Sequence, residues 1–296
     1  MNQPSSHPVP NRWLGYLAGV GVIAIWSGFI VFARFGVKGN LTPYDVTALR
    51  FMVGSLVALP FVFRYWPHHL SPLKILTLMV TGPGIVYSIL MFNGLNYSPA
   101  AFAGVFANGT MPIFTAIFAW ALLGERLGKT AFIAIAIIIA GSVAVGYENL
   151  TSVGTENLIG LPFFIIASFF LAAYVVLLRL WNLTSRQILA IINLPSALVF
   201  LPLWWFALPS TIGDASLAEI ALQGLFQGLG PSFLALIFFT YAIQTIGATP
   251  VAAFAASVPA TAALLAIPVL GERLNIVEWS GVLAVTLGLA LLILRK

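Results

Sequence analysis

Cysteine is absent from this chain, and charge is scarce: only 7% of its residues are Asp, Glu, Lys or Arg, against about 25% in a soluble domain. The missing cysteines exclude disulfides and thiolate-bound metal. Histidine is confined to His7 near the N-terminus and to His68-His69 between two apolar runs. No Ser-His-Asp set, HExxH, phosphate-binding glycine loop or paired carboxylate appears, so neither hydrolytic, metal nor nucleotide chemistry is written here. We expect no enzyme, no cofactor and no metal. The net charge is +5, but the basic residues stand singly between apolar runs. That distribution records membrane topology, and nucleic acid is not expected as a partner.

What the chain has in abundance is apolar sequence: 60% of it is hydrophobic. The apolar stretches are continuous, unlike the short alternating strands of a membrane β-barrel. They lie at residues 13–35, 44–63, 73–94, 100–123, 130–147, 158–180, 185–206, 217–246, 249–270 and 276–294. A membrane-crossing helix needs roughly 17–25 such residues. We therefore expect an all-α integral membrane protein of ten transmembrane helices. Residues 1–12 form an N-terminal tail, and the first run is full length, so it is expected to be a span rather than a cleaved leader. Thr42-Pro43 is a start signal for the second span.

The chain repeats itself. Pro112 and Pro259 are 147 positions apart, and so are Gly124 and Gly271, each of which opens a Gly-Glu-Arg-Leu. Gly82-Pro83 in the third run answers Gly230-Pro231 in the eighth, and Arg34 answers Arg179. A shared spacing of half the chain indicates internal duplication, with repeats at 13–147 and 158–294. Five spans per repeat is an odd number, so the second repeat should enter the bilayer inverted, a plan typical of transporters. Glu125 and Glu272 would then face opposite sides. Arg12, Arg64, Lys74, Arg126, Lys129, Arg179, Arg186, Arg295 and Lys296 fall on one side, and only Arg34, Lys38 and Arg273 on the other. The bias towards the first side puts both termini in the cytoplasm.

Candidate functional residues follow from the interruptions. Gly82, Pro83, Gly230 and Pro231, with Pro112 and Pro259, are read as hinges, since broken helices aim freed backbone groups at a substrate. The alternative is a kink that serves packing only. Gly84, Tyr87, Ser88 and Met91 share one helical face, answered by Ser232 and Phe239 among others. Trp26, Ser27, Asn108, Thr110, Ser168, Tyr174 and Ser257 complete the expected substrate-binding set. Such neutral polar groups either ligate solute or bond neighbouring helices; Asn108, one turn before Pro112, is singled out. Arg50 lies inside a span and is expected to snorkel or to pair with Asp45. Glu125 and Glu272 either cap the next helix or pair with adjacent arginines, or else gate each face. The fifth and tenth spans, with small residues at Ala140, Ala144, Ala284 and Gly288, read as packing helices.

Ala48-Leu49-Arg50-Phe51, the doubled Gly-Glu-Arg-Leu and the two prolines resemble the drug/metabolite transporter superfamily, in its ten-helix EamA-type branch. The resemblance covers nearly the whole chain. Within the branch it is nearest the YddG-type exporters of aromatic and other neutral amino acids. It implies a basket-like bundle with a central cavity lined by spans 1, 3, 4, 6, 8 and 9. The departure from the family is the apolar Met111 and Val258 before the prolines, where an acidic residue often stands. The expectation is a secondary transporter in the bacterial inner membrane, working as a monomer on amino acids. Drugs, nucleobases or sugars are the alternative cargo, and a non-transporting membrane protein is a further alternative.

Overall fold

The computed structural model describes residues 12–126, 128–148 and 155–293, and of Ala248, Thr249 and Ile293 only the backbone. The expected tail before Arg12, Leu127 of the first Gly-Glu-Arg-Leu, most of the loop joining the repeats, and Leu294, Arg295 and Lys296 lie outside these residues. Among the described residues every regular element is helical and no strand occurs. In chain order these are α1 (Arg12–Lys38), α2 (Pro43–Tyr65), α3 (Pro72–Thr81), α4 (Ile85–Tyr97) and a short α5 (Ala100–Phe102). A π-helical turn (Ala103–Asn108) leads into α6 (Met111–Leu123), followed by α7 (Lys129–Glu148), α8 (Leu161–Leu180) and α9 (Ser185–Ala207). Then come α10 (Leu217–Leu229), a second π-helical turn (Gly230–Leu234), α11 (Ala235–Ile246), α12 (Ala248–Ala256), α13 (Val258–Leu270) and α14 (Ile276–Ile293).

Eight helical stretches are long and apolar enough to cross a membrane, and a ninth is formed by α12 and α13 across a 47° bend. The apolar run Ile276–Leu292 of α14 is shorter. Start signals act where the sequence places them. Thr42 and Asp45 form a reciprocal capping box on α2, as do Thr184 and Gln187 on α9 and Ser216 and Glu219 on α10. Each box satisfies two of the backbone donors that a helix start leaves free.

The pairings are α2 with α9 and α10, α1 with α11 and α13, α6 with α8, and α7 with α14. Buried glutamines tie α10 to α1: Gln223 donates to the Phe32 carbonyl at 2.6 Å and Gln227 to that of Phe29 at 3.4 Å. Away from water, such bonds give buried side-chain amides an acceptor inside the bundle. The α7–α14 pair does stand apart as a packing unit, but its close contact is not at Ala140, which is exposed. It lies at Gly141, whose missing Cβ would fall 2.7 Å from the Gly281 carbonyl, and at Gly288, 3.0 Å from that of Ala134. Small residues let backbones approach where lipid offers no other drive to associate.

Asp45 corrects an expectation. It does not meet Arg50. Its carboxylate accepts from Thr42 N and Oγ1 at 2.9 Å each, from Trp204 Nε1 at 2.8 Å, from Thr211 N at 3.0 Å and from Ser210 Oγ. The start of α2 is thereby fastened to the end of α9 and to the loop after it.

Two stability predictions follow from these contacts. Asp45→Ala leaves the Trp204 and Thr211 donors without an acceptor, at about 1–3 kcal/mol each. Asp45→Asn keeps one acceptor oxygen, so detergent melting midpoints should fall in the order wild type, Asn, Ala; equal midpoints would contradict the fastening. Gly281→Val places a Cβ 2.6 Å from the Gly141 carbonyl and should cost about 1–3 kcal/mol by overpacking. Gly213→Ala, with nothing within 4 Å of its Cβ, is the neutral control in the same melt.

Candidate functional site

The interruption between α3 and α4 is where buried polar chemistry collects. Pro83 has no N–H to donate and pushes the preceding residue out of the helical region. Gly82 is accordingly extended, with ψ −174°, and its N–H closes α3 on the Leu78 carbonyl. A Cβ on Gly82 would lie 2.6 Å from that carbonyl and 2.8 Å from the Tyr174 ring; one on Gly84 would lie 2.6 Å from the Met79 carbonyl. Close approach requires glycine at both positions.

Three helices send one side chain each to these three residues. Tyr174 of α8 lies against Gly82, and Ser196 of α9 has its Oγ 3.1 Å from where a Gly84 Cβ would be. Arg50 of α2 donates from Nη2 to the Pro83 carbonyl at 3.1 Å. Its guanidinium lies 5.5 Å from the Phe29 ring centre and 6.0 Å from that of Phe51. Arg50 therefore neither snorkels nor pairs: it is 3% exposed, and two of its nitrogens, Nε and Nη1, have no partner. The Tyr174 hydroxyl and the Ser196 Oγ are also buried and unpartnered, as are Ser88 Oγ, Ser168 Oγ and Asn193 Oδ1. Native interiors satisfy most such groups. A cluster of exceptions is the kind of surface that a polar solute can complete.

The expected face of α4 is intact: Gly84, Tyr87, Ser88 and Met91 are all buried. A second grouping forms where α1 crosses the later helices. Trp26 packs on Phe239 with ring centres 5.8 Å apart, and Ser27 donates to the Val258 carbonyl at 3.5 Å. Gly104, in the first π-helical turn, sits against Pro259, whose Cα is 2.8 Å from the missing Cβ. Pro112 and Pro259 occupy the second positions of α6 and α13, where no helical N–H is needed. The breaks thus fall just before the prolines. The paired interruptions are not copies. Gly230 and Pro231 lie inside a π-helical turn that carries the backbone on from α10 to α11, whereas Gly82-Pro83-Gly84 stops the helix outright.

Other expected site residues serve the backbone. Thr110 donates to the Phe106 carbonyl at 2.5 Å and Ser257 to that of Phe254 at 2.7 Å. Asn108 closes the first π-helical turn, and Ser232 lies in the second; both are half-buried. Thr110 lies apart from the α3–α4 interruption, on a groove of about 410 Å³ shared with Phe106, Ile113, Ser142 and Tyr147. That groove is formed by α7 with residues of the fourth and sixth spans, Phe106, Thr110, Ile113 and Ile165.

Glu125 and Glu272 do something other than cap the helix that follows or pair with Arg126 and Arg273. Gly124 and Gly271 end α6 and α13 in the left-handed region, at φ 68° and 69°, a conformation that favours glycine. Beyond each, the glutamate reaches across the repeats. Glu272 meets Arg34 Nε at 2.7 Å and accepts from Ala100 N at 2.8 Å. Arg34 also donates to the Leu95 carbonyl, and to that of Asn96 at 3.3 Å. Glu125 meets Arg179 and makes no such additional backbone contact. The Arg34–Glu272 side chains are 9% and 17% exposed, those of Arg179–Glu125 53% and 47%. Ala100 and Leu123 bound a 24-residue stretch, about 36 Å at 1.5 Å per residue. The two ion pairs therefore mark opposite ends of one stretch.

Sequence reasoning missed Asn193 and Ser196, although Asn-Leu-Pro-Ser is the polar interruption of an otherwise apolar run, and Gln223 and Gln227, a buried pair at i, i+4. It matched Arg34 to Arg179 and Glu125 to Glu272 by position, and that mirror relation was the available signal for the pairing.

Comparison with known proteins places this architecture. The profile of the EamA-like transporter family matches residues 13–147 and again 158–294. The transporter YetK of Bacillus subtilis, described as uncharacterized, is 22% identical over 95% of this chain and 87% of its own length. An uncharacterized transporter of Archaeoglobus fulgidus is 24% identical over 84% of this chain and 86% of its own. A solved crystal structure superimposes with a TM-score of 0.63 at 21% identity, over 95% of this chain and 97% of that one. With two profile matches covering nearly all of its length, the chain belongs to the EamA-like transporter family, as a multi-pass membrane transporter of the drug/metabolite type.

Proposed function

We propose that this transporter exports amino acids, aromatic and other neutral ones, by alternating access. In this reading ten spans form two inverted five-helix repeats, 13–147 and 158–294. Both termini face the cytoplasm across a bacterial inner membrane, and the monomer is complete. The observation that carries it is the pair of mirrored ion pairs at the two ends of Ala100–Leu123. Each joins the first repeat to the second: Arg34 to Glu272, and Arg179 to Glu125. An inverted duplication sets such partners on opposite sides. The motifs read above as resembling YddG-type exporters and the aromatic contact of Trp26 with Phe239 support the choice of cargo.

The two pairs are unequal latches. The buried one, braced by the Ala100 amide and two carbonyls, seals its end; under the charge bias of the loops that end is external. The exposed one is worth about 0–1 kcal/mol and holds its end lightly. Removing one member of a buried pair costs about 3–5 kcal/mol, enough to move a two-state balance a hundredfold or more. In this reading the Arg34–Glu272 pair closes the bundle outside and leaves it ready to open inside.

Proteoliposomes should move radiolabelled Phe and Thr, and Tyr87→Ala and Asn108→Ala should lower that flux. Glu272→Gln should reduce it at least about tenfold and Glu125→Gln much less. Wild-type protein that moves neither amino acid would reject the cargo, and equal effects of the two glutamate variants would reject the unequal latches. The chain has no cysteine, so introduced thiols label without background. In whole cells an impermeant maleimide should reach Arg273→Cys of the second repeat directly, and Lys129→Cys of the first only after permeabilisation; both residues are exposed. Labelling of both from outside would refute the inverted arrangement.

A further inference from the structure

We infer that Arg50 is the anchor for a carboxylate on the transported solute, so that the site selects carboxylate-bearing molecules over amines. The inference rests on the transport reading above and names the solute class for the same interruption of α3 and α4. Arg50 is nearly fully buried and cannot lose its charge at physiological pH. Its one hydrogen bond is to a neutral carbonyl, that of Pro83. Nε and Nη1 remain without acceptors. The described carboxylates nearest in sequence or repeat position are all engaged elsewhere: Asp45 on Trp204 and Thr211, Glu272 on Arg34, Glu125 on Arg179. A guanidinium held in this way offers the fork geometry that a planar carboxylate accepts.

The surroundings fit that guest. The Tyr87 phenol lies within electrostatic reach of Arg50. Ser88, next to it on α4, has an unpartnered hydroxyl, and so does Ser196 beside Gly84. One turn further along α2, Gly54 lies against Asn193, whose Cβ-to-Oδ1 approach would be 3.2 Å and whose amide oxygen has no partner. Hydroxyls and an amide oxygen can take the ammonium of a zwitterion; a lone amine would set a second positive charge beside Arg50 with no acid to offset it. Both repeats line the site, with Tyr174, Asn193 and Ser196 coming from the second, but its cation is supplied by the first alone. Eight residues on from the matching caps Thr42 and Thr184 stand Arg50 and the buried Ile192. The cation thus has no counterpart in the second repeat.

The test uses the full chain in detergent and in proteoliposomes, with 3-phenylpropionate, phenethylamine and phenylalanine as probes. The first keeps the carboxylate alone, the second the ammonium alone, the third both. Wild type should be thermally stabilised by 3-phenylpropionate and not by phenethylamine. Arg50→Met, which replaces a buried charge by apolar volume and can preserve the fold, should abolish the shift. Arg50→Lys, the second variant should Met fail to fold, should raise the half-maximal concentration about tenfold or more, since it loses the fork. Stabilisation by phenethylamine equal to that by 3-phenylpropionate, or an unchanged shift in either Arg50 variant, would overturn the inference. So would the absence of any shift with 3-phenylpropionate, benzoate or lactate on wild type. Flux separates the two readings. Carboxylates that bind through Arg50 while phenylalanine is neither bound nor moved would leave the anchor standing and remove the amino-acid cargo.

Discussion

Inside a bilayer a backbone amide or carbonyl has no water to turn to, so every break in a helix must be completed from within the protein. The interior of this transporter is arranged around that constraint. The chain interrupts its helices at several places, and at three of them a side chain donates to a backbone carbonyl. Thr110 answers Phe106, Ser257 answers Phe254, and Arg50 answers Pro83. The first two are local, made within one turn by a hydroxyl. The third comes from another helix and carries a full charge, far more than one carbonyl needs. A neutral donor would have sufficed to complete Pro83, so the guanidinium is the group whose presence the backbone does not explain.

Duplication supplied the frame, and the two repeats then diverged in how they use it. The 13-residue helices α6 and α13 match in length, in the proline at their second position and in the left-handed glycine at their ends. The third-span interruption and its partner do not match. Gly82-Pro83-Gly84 stops the helix, whereas Gly230-Pro231 is absorbed into one wider turn. A π-helical turn accommodates an inserted residue without exposing the chain; an extended glycine exposes it. The second interruption has buried polar neighbours of its own, Gln223 and Gln227 of α10, but no charged group like Arg50. Symmetry governs the moving frame, and its loss governs the site.

What the sequence made legible follows the range of the interactions. The first eight apolar stretches, the start of α2 at Thr42-Pro43 and the glycines that end α6 and α13 are set within a few residues, and they lie where the pattern put them. The partners of charged groups are set across the fold, and there the local guess fails. Asp45 is five residues from Arg50 and looked like its counter-ion, yet it bonds across to Trp204, 159 positions away. Glu272 adjoins Arg273 but reaches Arg34, 238 positions back. Of the small residues read in the fifth and tenth spans, Ala284 and Gly288 lie at the contact between α7 and α14 while Ala140 is exposed, because helix rotation depends on the neighbour and not on the helix alone. Asn193 and Ser196 were passed over for the same reason: nothing local distinguishes an amide that faces a lipid from one that faces the interruption of another helix.

The unequal latches and the unpaired arginine bear on one another. In an alternating-access cycle the sealed end must be released at some point, and a braced, buried ion pair keeps the released arrangement a minor population. Something bound in the bundle must favour the other arrangement, and a ligand shifts a balance only by its differential affinity for the two states. A solute whose carboxylate neutralises Arg50 changes the charge at the very residues where α3 and α4 part. α4 is continuous from that interruption to Leu95 and Asn96, whose carbonyls brace Arg34. One rigid helix thus runs from the anchor to the seal. On the proposed reading, a displacement of α4 on binding would be felt first at those two carbonyls, and so at the Arg34–Glu272 pair.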